Sequence, residues 1–147
     1  MDKNVKILIV DDDENIRKTM KTILEDEGYV VDLAATGNEA VEMTWKTAYN
    51  IALLDIRLPD MEGVELLKLI KDNVPRTRKI MVTGYPSMQN AISALNKNAD
   101  AYLVKPVDIA KLLDKVKEQL QLQEDEKSFS EQKVAEFIET RVKEISI

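Results

Sequence analysis

Five short apolar runs constrain this chain more than anything else in it. They occupy residues 6–10, 29–33, 51–55, 79–83 and 101–104. They are rich in Val, Ile and Leu, and they do not alternate polar with apolar residues. Strands with one wet face alternate; strands covered on both faces do not, and parallel sheets are built from the second kind. Amphipathic stretches separate the runs. Ile16, Met20, Ile23 and Leu24 recur at helical spacing, with Gly28 just beyond as a C-terminal cap. Ala40, Val41, Thr44 and Trp45 form a second stripe after Thr36-Gly37-Asn38, and Val64, Leu67 and Ile70 form a third. Met88, Ile92 and Leu95 form a fourth, opened by Pro86, and Leu112, Val116 and Leu120 a fifth.

Five βα units in a row imply an α/β fold with a five-stranded parallel sheet and right-handed crossovers. The spacing resembles the flavodoxin-like doubly wound arrangement, (βα)5 with strand order 2-1-3-4-5. In such sheets ligands bind at the carboxyl ends of the strands. The fifth unit closes a domain over residues 1–122. Residues 123–147 are expected to be a linker and one extra amphipathic C-terminal helix. There "QEDEKS" interrupts the apolar stripe before Val134, Phe137, Ile138, Val142 and Ile145 resume it. Ser128 with Glu131 fits a capping box for that helix; alternatively Ser130 caps it and Phe129 staples onto Val134.

Composition removes whole classes of chemistry. The chain has no Cys and no His, so thiolate nucleophiles, Ser-His-Asp triads and His- or Cys-ligated metals are excluded. Any metal must be held by oxygen, which favours Mg²⁺, Ca²⁺ or Mn²⁺. A net charge of -6, with no Lys/Arg-rich stripe, speaks against direct nucleic-acid binding. The apolar runs are too short to span a bilayer, and "MDKNVK" carries no apolar leader, so a cytoplasmic location is expected.

The first run ends in Asp11-Asp12-Asp13-Glu14 and the third in Asp55. If those two strands are neighbours, Asp11, Asp12 and Asp55 converge in one crevice. Like charges that close are costly unless a cation neutralises them. Thr83 ends the fourth run and Lys105 the fifth. A carboxylate nucleophile, a metal, an ammonium and a hydroxyl make a set suited to phosphoryl transfer. Asp13 reads as a cap of the first helix, and Asp60 and Glu62 as solvated loop acids.

At these residues the chain resembles the receiver domains of two-component response regulators. "LIVDDDE", "LLDIRLPDMEG", "MVTGYP" and "AYLVKP" match that family's motifs in order and spacing, over about residues 5–122. The resemblance implies that Asp55 accepts the phosphoryl group. It implies Mg²⁺, with Mn²⁺ as a substitute, held by Asp11, Asp12, Asp55 and the backbone carbonyl of Arg57. It implies that Thr83 and Lys105 contact the phosphoryl group, that Thr83 and Tyr102 form the conformational switch, and that Pro106 follows a cis peptide bond. Gly84 matches the small residue that leaves the site open. Arg57 and Tyr85 occupy positions that govern access of water, and their bulk predicts a long-lived phospho-Asp55.

The implied function is a response regulator that takes its phosphoryl group from a sensor histidine kinase. Its own catalysis would be at most weak Mg²⁺-dependent autophosphorylation and autodephosphorylation. The alternative is a phosphorelay carrier that passes the group to a His-containing phosphotransfer protein. A haloacid-dehalogenase-type enzyme is disfavoured because Arg57 stands where a second acid would follow the nucleophile. A flavodoxin is disfavoured because no Gly/Ser/Thr-rich loop follows the first run. The output is expected through a downstream protein or through a homodimer, by the C-terminal helix or the last βα units, with no membrane contact.

Overall fold

The computed structural model describes residues 5–84 and 99–145. Among these, five parallel strands form one sheet: β1 (Lys6–Val10), β2 (Val30–Ala34), β3 (Ile51–Asp55), β4 (Arg78–Thr83) and β5 (Ala101–Val104). Their order is β2-β1-β3-β4-β5, as expected from the sequence. Four helices are described: α1 (Glu14–Asp26), α2 (Gly37–Lys46), α3 (Gly63–Leu69) and α4 (Ile109–Ile145). The stripe Met88, Ile92 and Leu95, with Pro86, lies outside the described residues.

The unbroken apolar character of the strands has its cause in the two core clusters. Leu8, Val10, Ala52 and Leu54 face one side, with Ala40 of α2 and Leu66 of α3. Ile7, Ile9, Ile51 and Leu53 face the other, with Met20 and Leu24 of α1 and Leu112 and Val116 of α4. Successive side chains point to opposite faces, and both faces are covered, so the middles of the inner strands are apolar throughout and polar residues stand only at their ends.

Local chemistry sets the helix ends. The Asp13 carboxylate accepts from the Ile16 N–H at 3.1 Å and caps α1. Gly28 follows α1 at φ +95°, a conformation that only glycine adopts without strain. Thr36 caps α2 by accepting from the Glu39 N–H at 3.1 Å, while Glu39 reaches back to the Ala35 N–H at 2.6 Å.

One expectation is corrected. The break at "QEDEKS" does not occur; α4 runs without interruption for 37 residues, from Ile109 to Ile145. Neither Ser128 nor Ser130 is a cap, because both lie inside the helix. Gln, Glu, Asp and Lys are polar but do not break helices, and the segment contains neither Gly nor Pro. The lost stripe marks where the helix leaves the domain, not where it ends. Residues 127–145 are exposed throughout.

Candidate phosphoryl-accepting site

Strand register brings the acids together. Val10 of β1 pairs with Leu54 of β3, so the next residues, Asp11 and Asp55, end up level. Thr83 of β4 pairs with Val104 of β5, which sets Lys105 beside it. The Lys105 N–H donates to the Thr83 carbonyl at 2.7 Å, and the Ile56 N–H to the Val82 carbonyl at 3.2 Å. All four side chains therefore stand at the carboxyl edge of the three inner strands and β5, the place doubly wound sheets reserve for ligands.

Carboxylate oxygens of Asp11, Asp12 and Asp55 lie within 4.8 Å of one another. Asp11 and Asp55 are buried and Asp12 is exposed. Lys105 Nζ sits 2.8 Å from Asp11 Oδ2 and 3.4 Å from Asp55 Oδ2. The first contact is an ion pair outside hydrogen-bonding geometry, and Asp11 Oδ2 has no hydrogen-bond partner among the described residues. The other Asp11 oxygen accepts from the Asp13 N–H at 2.9 Å. One lysine thus faces three carboxylates. At an effective dielectric constant of about 20, two unit charges at such a separation repel by roughly 3 kcal/mol.

The titration of the site reflects that imbalance. Burial pushes the Asp55 carboxyl above the usual aspartate range; Lys105 opposes this, Asp11 adds to it, and the rise prevails. Burial alone would lower the Lys105 ammonium, but its contacts with Asp11 and Asp55 hold it above its ordinary value. Thr83 is fully buried at the end of β4.

The donor set fits a hard divalent cation. The acids are close, all-oxygen and under-compensated: among the described residues only the Lys105 ammonium, 2.8 Å away, faces the buried Asp11 Oδ2. Arg57 lies two residues past Asp55, in a turn closed by a bridge to Glu62, with its N–H 3.4 Å from Asp55 Oδ1. Its side chain is exposed. The Lys105–Pro106 peptide is cis. Tyr102 lies on edge strand β5 and is 39% exposed. A Cβ added at Gly84 would make ordinary contact with the Lys105 stem at 3.7 Å, so any larger side chain would stand over that lysine. Tyr85 falls outside the described residues.

Three supporting residues escaped the sequence reading. Arg17 Nη1 donates to the Asp11 carbonyl at 2.7 Å, pinning the first acidic loop to α1. Asp60, expected to be merely solvated, accepts from the Gly37 and Asn38 N–H groups, each at 2.8 Å. Those donors hold its carboxyl below the usual range and tie the loop after Asp55 to the N-terminus of α2. Gly63 opens α3, where a Cβ would collide with the Asp55 carbonyl oxygen and crowd the Met81 side chain. The backbone that carries Asp55 is therefore braced directly by a helix. The Gly63 at the end of "LPDMEG" was the available signal.

Comparison with known proteins agrees with this geometry. The family model described as response regulator receiver domain matches residues 7–117. The response regulator ArlR of Staphylococcus saprophyticus is 35% identical over 118 residues, covering 80% of this chain and 53% of its own. The regulatory protein AtoC of Escherichia coli is 35% identical over 118 residues, again 80% of this chain but 26% of its own. The chain thus spans about half the length of these curated relatives, or less. A CheY-like receiver domain protein from Methanospirillum hungatei is 51% identical in its solved structure. The TM-score is 0.76, and the match covers 84% of this chain and 98% of that one. The response regulator TrrA of Thermotoga maritima, solved in complex with Mg²⁺ and BeF, is 33% identical with a TM-score of 0.70. That match covers 78% of this chain and 98% of TrrA. With three acids and a lysine converging at strand ends on this topology, the chain belongs to the response regulator receiver domain family.

Proposed function

We propose that this chain is a phosphorylation switch in which Asp55 accepts a phosphoryl group from a phosphohistidine of a sensor kinase. The observation that carries the proposal is the convergence of Asp11, Asp12 and Asp55 within 4.8 Å around Lys105. An Asp55 carboxylate oxygen attacks phosphorus, a P–O bond forms, and the P–N bond to the kinase imidazole breaks as its leaving nitrogen takes a proton from solvent. The kinase recovers a neutral histidine, and this chain carries an acyl phosphate. Asp11, Asp12, Asp55 and the Arg57 carbonyl would hold Mg²⁺, which supplies charge neutralisation to the acids and to the phosphoryl oxygens when bound. Lys105, already between Asp11 and Asp55, offers an ammonium to a phosphoryl oxygen. Thr83 offers a hydroxyl from the end of β4, and Tyr102, exposed on β5, is the aromatic that responds when Thr83 moves. Arg57 restricts water on the open side, which favours a slowly hydrolysed phospho-Asp55.

The relatives named above are called regulators, which supports a switch rather than a relay carrier. No helix among the described residues is long and apolar enough to cross a membrane. The test is intact-protein mass spectrometry after incubation with acetyl phosphate, with and without Mg²⁺. One Mg²⁺-dependent phosphoryl adduct that is absent from Asp55→Ala is expected. An adduct that survives Asp55→Ala, or no adduct in wild type, overturns the proposal.

A further inference from the structure

The oxygens assigned to the metal stand on two separate loops. Asp11 and Asp12 follow β1, while Asp55 and the Arg57 carbonyl lie where β3 gives way to the loop before α3. The pairing of β1 with β3 ends at Val10 and Leu54. Past that point the two loops are joined through a third element, the start of α2. On one side the Asp11 N–H donates to the Ala34 carbonyl at 3.1 Å, which fixes the first acidic loop to the end of β2. Three residues on, Gly37 begins α2. The Gly37 and Asn38 N–H groups donate to the two oxygens of Asp60, one each, at 2.8 Å.

Asp60 is the tip of a narrow turn. The Leu58 N–H donates to the Met61 carbonyl at 3.1 Å, and Arg57 bridges Glu62. The base of the turn is anchored too: the Ile56 N–H donates to the Val82 carbonyl at 3.2 Å, and the Gly63 N–H to the Ile56 carbonyl at 2.7 Å. At the tip the Met61 side chain fills the space that a Cβ on Gly37 would need, so the turn lies directly on the helix. The helix does not depend on Asp60 for its start. Thr36 already caps it and Glu39 completes the box. An exposed aspartate that spends both oxygens on a helix with its own cap is a brace between loops.

We propose that Asp60 is a positioning residue for the metal: by clamping the turn onto α2 it fixes the gap between the Asp11-Asp12 pair and the Arg57 carbonyl, and so sets the affinity for Mg²⁺. This rests on the metal assignment made under the proposed function. Mg²⁺ demands short bonds and near-ideal octahedral geometry, so a gap free to widen weakens its binding. Groups that hold metal ligands in place, without touching the ion, typically govern affinity by about 10–100-fold.

MgCl₂ titrated by calorimetry into the full unphosphorylated chain tests this. Asp60→Ala should raise the Kd for Mg²⁺ about tenfold. Asp60→Asn should raise it less, because one carbonyl oxygen still accepts one of the two N–H groups. Glu62→Gln removes the same charge from the same turn, where the Glu62 side chain caps nothing, and should change the Kd less than about twofold. Urea midpoints establish that each variant is folded. Uptake from acetyl phosphate should be slower in Asp60→Ala at limiting Mg²⁺ and equal to wild type at saturating Mg²⁺. A wild-type Kd in Asp60→Ala overturns the inference. So does a Glu62→Gln effect as large as that of Asp60→Ala, or a deficit in uptake that saturating Mg²⁺ does not remove. A wild-type chain that binds no Mg²⁺ overturns the metal assignment itself, and is distinguishable from failure of the brace alone.

Discussion

The two ends of the sheet both bury charge, and they treat it in opposite ways. At the carboxyl end, three acids converge and, among the described residues, the Lys105 ammonium lies against two of them. At the amino end, a larger polar cluster closes on itself. Arg78 is buried where β4 begins; it donates to Gln119 at 2.9 Å and pairs with Glu126 at 3.0 Å. Arg76 pairs with Asp100 at 2.8 Å. Gln123 donates to the carbonyls of Asn50 and Arg76 at 3.0 and 2.8 Å and accepts from the Asn50 amide at 2.9 Å. Satisfied polar groups fasten α4 to the sheet; the acids at the other end keep more negative charge than Lys105 balances. Buried charge is therefore not by itself a sign of function, and the balance of charges and donors is what separates the two ends.

That contrast breaks if the amino end tolerates loss of its central cation. Arg78→Ala takes the donor from buried Gln119 Oε1 and leaves Asp100 and Glu126 with Arg76 as their one remaining cation among the described residues, and urea unfolding should show a loss of about 3 kcal/mol with phosphoryl uptake intact. Asp100 comes next. Burial raises its carboxyl, but the Arg76 hydrogen bonds, the Lys79 N–H and the Arg78 charge outweigh burial and hold it below the ordinary value. An acid lowered in the folded state stabilises above its unfolded pKa, about 3.9, and loses that contribution as pH falls through the folded value. Asp100→Asn should therefore cost about 1–2 kcal/mol at neutral pH, an effect limited by the partial exposure of Arg76. Its deficit relative to wild type should shrink below about pH 4, and paired melting curves across pH 2–7 check this.

At the carboxyl end the sign reverses. Without Mg²⁺, Asp55→Asn removes an acid whose ionised form is disfavoured by burial and by Asp11. Stability should rise by about 1 kcal/mol while the phosphoryl adduct disappears. A loss of stability instead would place Asp55 with the structural charges and erase the distinction. The smallest effect belongs to the exposed Glu14–Lys18 pair, 2.8 Å apart on the surface of α1. Lys18→Ala should leave the urea midpoint unchanged within error, because water already solvates both partners.

The carboxyl end was far more legible in the sequence than the amino end. Asp11, Asp12, Asp55, Thr83 and Lys105 each stand where an apolar run stops, so strand ends alone located them. Sheet order did the rest by making β1 and β3 neighbours. The amino-end cluster gave no such cue. Gln119 and Gln123 occupy stripe positions where an apolar residue is the default, and their partners Arg76, Arg78 and Asp100 are distant in sequence. A glutamine repeated on a buried helical face was the only available hint. The continuity of α4 was missed for a related reason. Periodicity of apolar residues reports where a helix is covered, and "QEDEKS" is helical but uncovered. Asp60 was illegible because its partners, Gly37 and Asn38, belong to another βα unit.

The uncovered half of α4 has a mechanical meaning. Residues 127–145 extend about 28 Å beyond the polar cluster that grips the helix. That cluster is the fulcrum of a lever: Arg78 holds it at one end of β4, and Thr83 stands at the other end of the same six-residue strand. A tilt of a few degrees at the grip, too small to disturb the core, sweeps Ile145 through a couple of ångströms. Side-chain packing between helices is lost over that distance, so a rigid rod turns a slight movement in the sheet into a choice between contact and separation at its tip.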